Sequence, residues 1–364
     1  MSAWPENILL ASSHSDPYPF YRSLAEQGWH YDASLGIWLA ASHRAVRAVL
    51  DSPACRVRPL AQPVPPAIAG SILGQTFGRW LRMRDGAAHA GLRRAVMASL
   101  AGLPLQEAEA SAAALAGRFL SEGELSGRRI DGLIDFLPVA ALAAALGWPV
   151  AGLSAAAERI ALVCRALAAD ADEAAREQGA AACQSLLDEL AALPGEGWLR
   201  RWREAFMDLD ETALAANLLG ALFQSRDAGA GLLSAAIAWR GEAPWDWRDE
   251  GQWSQRLRAD PVLHHTRRFV AEDVELAGQR LKAGDQVLVL LAAAAQDPAG
   301  PGEAMDFGRG RHACPGEGLA LAIARGALRA LEEAGADWSA LLKQMVFLPI
   351  PNARIRRFGE GSAR

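Results

Sequence analysis

The sequence predicts a mainly α-helical protein with a minor β part, and three observations carry that reading. Apolar residues recur at helical spacing over most of the 364 residues. One region, 269–289, holds the clear period-two alternation, seen in EDVELAGQRLKAGDQVLVL from Glu272 to Leu290, with glycines at its turns. The hydrophobic fraction is 51% against 22% charged, the balance of a globular chain with a large core. That balance excludes wholesale disorder, a collagen-like chain and a disulfide-stapled miniprotein. The net charge of −5 gives no reason to expect nucleic acid or an anionic membrane as a partner. Neither a repeat nor a composition shift marks a boundary, so residues 1–364 are expected to form a single domain.

Asp16-Pro17 starts a short amphipathic helix that runs through Leu24. Trp29–Ala40 alternates well enough for a hairpin with a turn near Ser34–Gly36. The spacing then predicts helices over 43–51, 87–100, 106–121, 131–146, 153–169, 172–193 and 211–239. Between the first two of these, Val57–Gly78 is broken by proline and glycine and reads as a loop with a short helix. A last helix is predicted from Pro315 to about Ala334. The run from Phe136 to Ala157 has no charge and is long enough for a membrane span. It is mostly alanine, however, and Gly147 and Pro149 interrupt it, so a buried helix, a turn and a second helix are expected, with no membrane contact. The N-terminus lacks a basic stretch followed by a long apolar one, so no secretory leader is expected. Four cysteines (Cys55, Cys164, Cys183 and Cys314) form no C-x-x-C pair, which points to a reduced, cytoplasmic setting.

The helix over 211–239 is the longest, spanning roughly 43 Å, and its apolar faces require it to cross the core. Arg226 and Asp227 fall near its middle. A charge there is either solvated, structurally paired or part of a polar notch beside an active site.

The segment Phe307-Gly308-Arg309-Gly310-Arg311-His312-Ala313-Cys314-Pro315-Gly316 carries the most chemistry. With Pro315 as the first helical residue, Cys314 is expected at the helix N-cap, where the dipole and free N–H groups favour thiolate over thiol. Gly308 and Gly310 permit a tight turn, and Arg309, Arg311 and His312 add positive character. Four roles remain open for such a cysteine. They are a zinc ligand, a nucleophile with His312 as base, a buried structural thiol and an axial ligand to haem iron.

This segment resembles the haem-binding loop of the cytochrome P-450 family, F-G-x-G-x-H-x-C-x-G, at every specified position. Asp85-Gly86-Ala87-Ala88-His89-Ala90-Gly91-Leu92-Arg93-Arg94 is similar to the family's helix that meets the haem propionates through H-x-x-x-R, and the stretch from Thr266 to Leu276 is similar to the β segment whose arginine also reaches a propionate. The resemblance runs from about residue 16 to the C-terminus. It implies a cytochrome P-450 fold with haem between the long central helix and the cysteine loop, and Cys314 as the iron ligand whose sulfur favours O–O cleavage. It also implies a cofactor-binding set of His89, Arg93, Arg268, Phe307, Gly308, His312, Cys314 and Gly316, with the side chains of His89, Arg93, Arg268 and His312 on the propionates. Asp227 and Ala228 would then lie near bound oxygen. Without a C-x-x-C-H the haem is expected to be the non-covalent b type.

Three departures from the family pattern stand out. Its acid-threonine pair reads Asp227-Ala228 here, within Gln224-Ser225-Arg226-Asp227-Ala228-Gly229, so the alcohol is missing. Its E-x-x-R reads Gln255-Arg256-Leu257-Arg258. The segments around 240–250 and 297–306 are shortened. The reading that follows is a bacterial-type soluble monooxygenase acting on a specialised small molecule. The alternative is an atypical haem-thiolate protein that uses peroxide, performs non-oxygenating chemistry, or binds haem without turnover as a partner of another protein. The sequence has no flavin or iron–sulfur motif, so a ferredoxin-type donor with its reductase is expected as partner. Arg309 and Arg311, with Arg82 and Arg84, are expected to present a basic docking face to it. The substrate pocket is expected between Val57–Gly78, the turn near Ala168–Asp172, the middle of the long helix and Val262–Thr266.

Overall fold

The computed structural model describes residues 4–359. Residues 1–3 and 360–364, the start of the N-terminal stretch read above and the end of the expected 1–364 domain, lie outside the described residues. After a 3-10 turn at Ile8–Ser13 come α1 (Tyr18–Gln27), β1 (Trp29–Asp32), β2 (Ile37–Ala40), α2 (His43–Asp51), β3 (Cys55–Arg56) and α3 (Ile72–Phe77). A helical series follows with α4 (Gly86–Leu100), α5 (Leu105–Ser121), α6 (Gly127–Ala145), α7 (Leu153–Ala166), α8 (Glu173–Ala192), α9 (Gly197–Ala205), α10 (Glu211–Glu242) and α11 (Glu250–Ala259). The β part holds β4 (Thr266–Val270), β5 (Val274–Leu276), β6 (Gln279–Leu281) and β7 (Gln286–Val289). The chain closes with α12 (Leu291–Ala295), α13 (Glu317–Glu333), α14 (Trp338–Leu342), β8 (Val346–Phe347) and β9 (Arg356–Arg357).

The predicted hairpin is β1–β2, paired antiparallel from Trp29↔Ala40 to Asp32↔Ile37. It extends a five-stranded sheet in the order β1-β2-β7-β4-β3, parallel only between β2 and β7. Strand alternation sends Cys55, Val270, Val287 and Val289 to a core shared with α2, and Leu39 and Leu288 to a second core shared with α1. The uncharged run forms the end of α6, a turn and the start of α7, as the alanines and Pro149 require, and no helix of the described residues is long and apolar enough to cross a membrane.

Helix α10 is the axis of the helical part. It starts at Asp210, whose carboxylate caps it by accepting from the Ala213 N–H at 2.6 Å. It runs for 32 residues, roughly 48 Å, and packs against α6, α13, α14 and α8. Residues 216–220 and 230–239 are buried, while Phe223–Gly229 are partly open. Glycines allow the close crossings. A Cβ on Gly229 would lie 2.6 Å from the Pro138 ring of α6, and one on Gly220 would lie 2.8 Å from the Trp80 indole.

The two ends of the chain meet on one side of this body. Arg354 donates to the backbone carbonyls of Ser12 at 2.8 Å and His14 at 2.7 Å. The Asp260 carboxylate accepts from the Tyr18 hydroxyl, from the Trp239 indole N–H at 2.7 Å and from Arg356, with Arg354 at 3.3 Å. Beside it, buried His264 meets the Tyr21 hydroxyl at 2.7 Å and donates its backbone N–H to the Asn352 carbonyl at 2.9 Å.

Candidate active site

The cysteine loop is shaped by its two glycines. Gly308 and Gly310 both take left-handed backbone angles, φ +66° and +65°, which a side chain would strain. The loop then returns on itself, and the Cys314 N–H donates to the Phe307 carbonyl at 2.7 Å. The expected N-cap position of Cys314 is corrected here. Residues 315–316 form a turn, Gly316 is the N-cap, and α13 starts at Glu317. The expected thiolate-favouring setting is corrected with it. Solvent reaches the Cys314 side chain, but protein encloses it, and this burial pushes the thiol up. The Gly316 N–H bonded to the sulfur pulls in the other direction, as do the charges of Arg82 and Arg93.

Two elements bring the other predicted residues to this loop. Helix α4 supplies His89 and Arg93, four residues apart on one face. The His89 ring centroid is 4.3 Å from that of His312, and Arg93 donates to the Ala313 carbonyl at 2.7 Å. Burial, with the charges of His312 and Arg93, lowers His89 to about 4. Strand β4 supplies Arg268, which is buried, donates to the Thr266 hydroxyl and the Arg267 carbonyl, and is lowered to about 10 by burial and by Arg82. His89 Nε2 and Arg268 Nε are both buried with no hydrogen-bond partner among the described residues.

A residue absent from the sequence-derived set organises this edge. Asp85 accepts from the Val57 N–H at 2.9 Å and lies 3.1 Å from His312 Nε2. Although burial pushes the Asp85 carboxyl up, the hydrogen bonds and charges of His312 and the Val57 N–H bring it below its ordinary range. Its signal in the sequence is its place just before the α4 turn that carries His89. His312 is thus held by a carboxylate of this chain.

Of the four arginines expected on a basic docking face, Arg311 is withdrawn from it. Arg311 turns inward, donating to the carbonyls of Ser52 at 2.6 Å and Cys55 at 2.8 Å. Arg82 is exposed and reaches the Thr266 hydroxyl at 3.5 Å. Arg309 is engaged by Asp51 at 3.4 Å and Glu303 at 3.9 Å, and Arg84 is exposed. The backbone carbonyls at the end of α2 claim the guanidinium that would otherwise face solvent.

Asp227 and Ala228 fall in the partly open middle of α10. The Asp227 carboxylate accepts from Arg226 at 2.6 Å, and Arg226 also lies 3.8 Å from Asp135 of α6. Asp135 in turn accepts from Arg357 at 2.6 Å. The mid-helix charges are therefore paired, and the pairing links Asp227 to the half-exposed Asp135. Gln255 and Arg258, aligned with E-x-x-R, are both exposed on α11. Gly302 of the short 297–306 segment lies against the Arg258 guanidinium, and the half-buried acid that ends α11 is Asp260.

A solvent-reachable thiol at the centre of the loop, an unpartnered imidazole nitrogen and an unpartnered guanidinium nitrogen fit an iron porphyrin. The thiol matches an axial ligand, and the two nitrogens match ring carboxylates.

Comparison with known proteins gives the same direction. No protein-family profile matches the chain. The 2-hydroxy-5-methyl-1-naphthoate 7-hydroxylase of Streptomyces carzinostaticus is 35% identical over 94 residues, covering 22% of each protein. The biotin biosynthesis cytochrome P-450 of Bacillus subtilis is 32% identical over 87 residues, 21% of this chain and 22% of that one. The matched stretch thus spans about a fifth of the length of these curated relatives. Over nearly the whole length the backbone resembles the crystal structure of CalO2, with TM-score 0.76, 22% identity, and 95% and 97% of the two chains covered. It also resembles the BioI cytochrome P-450 solved with an acyl carrier protein bearing hexadec-9Z-enoic acid, with TM-score 0.77, 18% identity, and 96% and 100% covered.

Proposed function

From the premise that this chain has the cytochrome P-450 fold and is similar in sequence to bacterial cytochromes P-450, we propose that it is a haem-thiolate monooxygenase. Its substrate is a small organic molecule, and its electrons come from a separate ferredoxin-type donor with its reductase. The observation that carries the reading is the exposed Cys314 thiol, whose loop is closed by the Phe307 carbonyl, beside the partnerless nitrogens of His89 and Arg268. We read residues 1–364 as one such domain with shortened segments near 240–250 and 297–306, working in the cytoplasm.

Cys314 is the iron ligand. His89 and Arg268 hold the propionates of a non-covalent haem b, with Arg93 and His312 framing them from α4 and the loop. When bound, that haem supplies the oxidising chemistry. The remaining work belongs to the side chains. Asp85 fixes the His312 ring, Phe307 and Gly308 shape the loop under the sulfur, and the Gly316 N–H tempers the charge on the sulfur. Asp227 holds a proton-accepting oxygen in the open middle of α10, steadied by Arg226. Ala228 brings no hydroxyl of its own, so the water that delivers protons there must be held by another group.

The test is spectroscopic. The reduced, haem-loaded protein with carbon monoxide should show the red-shifted Soret band of a thiolate ligand, and Cys314→Ala should abolish it. An unchanged spectrum in that variant would remove Cys314 as ligand. Product formed with a supplied electron donor then separates an enzyme from a haem-binding partner protein.

A further inference from the structure

The two consecutive arginines of β4 face opposite sides of the sheet, because strand side chains alternate. Arg268 turns to the haem edge, and Arg267 turns away from it into a cavity of about 500 Å3. Cross-strand register builds the floor of that cavity. Arg56 of β3 lies opposite Phe269, and Gln286 of β7 lies opposite Phe269 on its other side, so the three form a row across the sheet. Arg58 closes it from the loop after β3. Its guanidinium sits 5.6 Å from the Phe269 ring centroid and 5.8 Å from that of Phe77, and it donates to the carbonyls of Gln62 and Pro63.

Three guanidinium groups therefore line one concavity, and no carboxylate is among its lining residues. Arg56 Nε is buried without a hydrogen-bond partner. Burial and the charge of Arg267 hold Arg58 below its ordinary range, as expected of cations gathered without a counter-charge. Arg forks match carboxylate and phosphate oxygens two at a time, and the Gln62 and Gln286 amides add neutral donors. Phe269, with Leu60 and Val270, supplies an apolar wall beside the charges.

We propose that this cavity is a binding site for the phosphate or carboxylate group of a small molecule. The proposal goes beyond the haem-thiolate reading and does not depend on it, since the site lies across the sheet from Arg268 and involves none of the haem-holding residues.

The experiment is titration calorimetry of the full-length chain at low ionic strength, with inorganic pyrophosphate in one arm and decanoate in the other. Saturable binding of pyrophosphate alone identifies a free phosphate ligand. Tighter binding of decanoate than of acetate identifies an acid carried on an apolar body. In either arm, Arg267→Gln and Arg58→Gln should each weaken binding about tenfold or more, the loss expected of one charge-assisted hydrogen bond. Arg267 is exposed, so its replacement does not endanger the fold, and Arg280→Gln on the exposed β5–β6 hairpin should bind as wild type does. The proposal is overturned if neither probe binds saturably at millimolar concentration. It is equally overturned if Arg267→Gln binds as well as Arg280→Gln. The heat of binding needs no turnover and no thiolate spectrum, so failure here and failure of the haem reading are separate results.

Discussion

Two backbone N–H groups follow most cysteines, and Pro315 removes one of them beside Cys314. The Gly316 N–H is left bonded to the sulfur, while the N–H of Cys314 itself is spent on Phe307. A sulfur with one donor fewer keeps more electron density and makes a bound iron harder to reduce. Pro315→Ala should therefore raise the reduction potential of the loaded protein, measured by spectroelectrochemical titration, and a potential that falls or stays put would sink the idea. Ala228 leads to a second expectation. With no hydroxyl at that position, we expect a hydroxyl of the substrate to hold the proton-delivering water. A substrate analogue lacking that group should bind yet consume reductant without product, and Ala228→Thr should restore part of the lost coupling. Product per reductant consumed, for both compounds in both proteins, decides it, and equal coupling of the two in wild type would transfer the role to Asp227. The loop, His89, Arg93 and Arg268 were legible in the sequence because each sits in a short motif that resembles the cytochrome P-450 pattern. Asp85 was not, because its role comes from His312, 227 residues away.

Helix α10 shows what spacing can and cannot foretell. Its start near residue 211 and its length were readable from the apolar run, with an end at Glu242 in place of residue 239. Its partners were not readable, because a helix buried on nearly every side has no single apolar stripe to point at one neighbour. Pro138 lies inside α6, where a proline argues for a break, and it is tolerated in a helix packed against Gly229. The contact makes a prediction about the pair of helices. Gly229→Ala places a methyl group 2.6 Å from the Pro138 ring, and overpacking of this kind costs about 1–3 kcal/mol. Urea unfolding should show that loss, and a variant as stable as wild type would mean that α6 and α10 can slide apart freely. Helix α9 was missed although Trp198 and Trp202 stand four residues apart and are both buried, a helical signal hidden by the charges between them.

At the scale of the whole molecule, the seam joining the two chain ends was invisible in the sequence, since its partners are hundreds of residues apart. His264 lies in that seam, fully enclosed, and burial with the nearby charge of Arg354 lowers it to about 3. An unfolded histidine titrates near 6.5, so below that pH the unfolded chain takes up a proton that the folded chain refuses. The stability contributed by neutral His264 is present above pH 6.5 and drains as the pH falls towards 3. The difference in unfolding free energy between wild type and His264→Asn should therefore shrink by about 1.4 kcal/mol per pH unit over that window. A difference that stays constant with pH would mean that His264 is protonated in the fold. The same seam sets a timetable for biosynthesis. Arg354 grips the carbonyl of Ser12 across 342 residues, and a ribosome adding about 5–20 residues per second needs on the order of 20–70 s to cover that distance. Through that interval the N-terminal segment lacks Arg354, so a nascent chain stalled before residue 354 should lose that segment to a protease that the released protein resists.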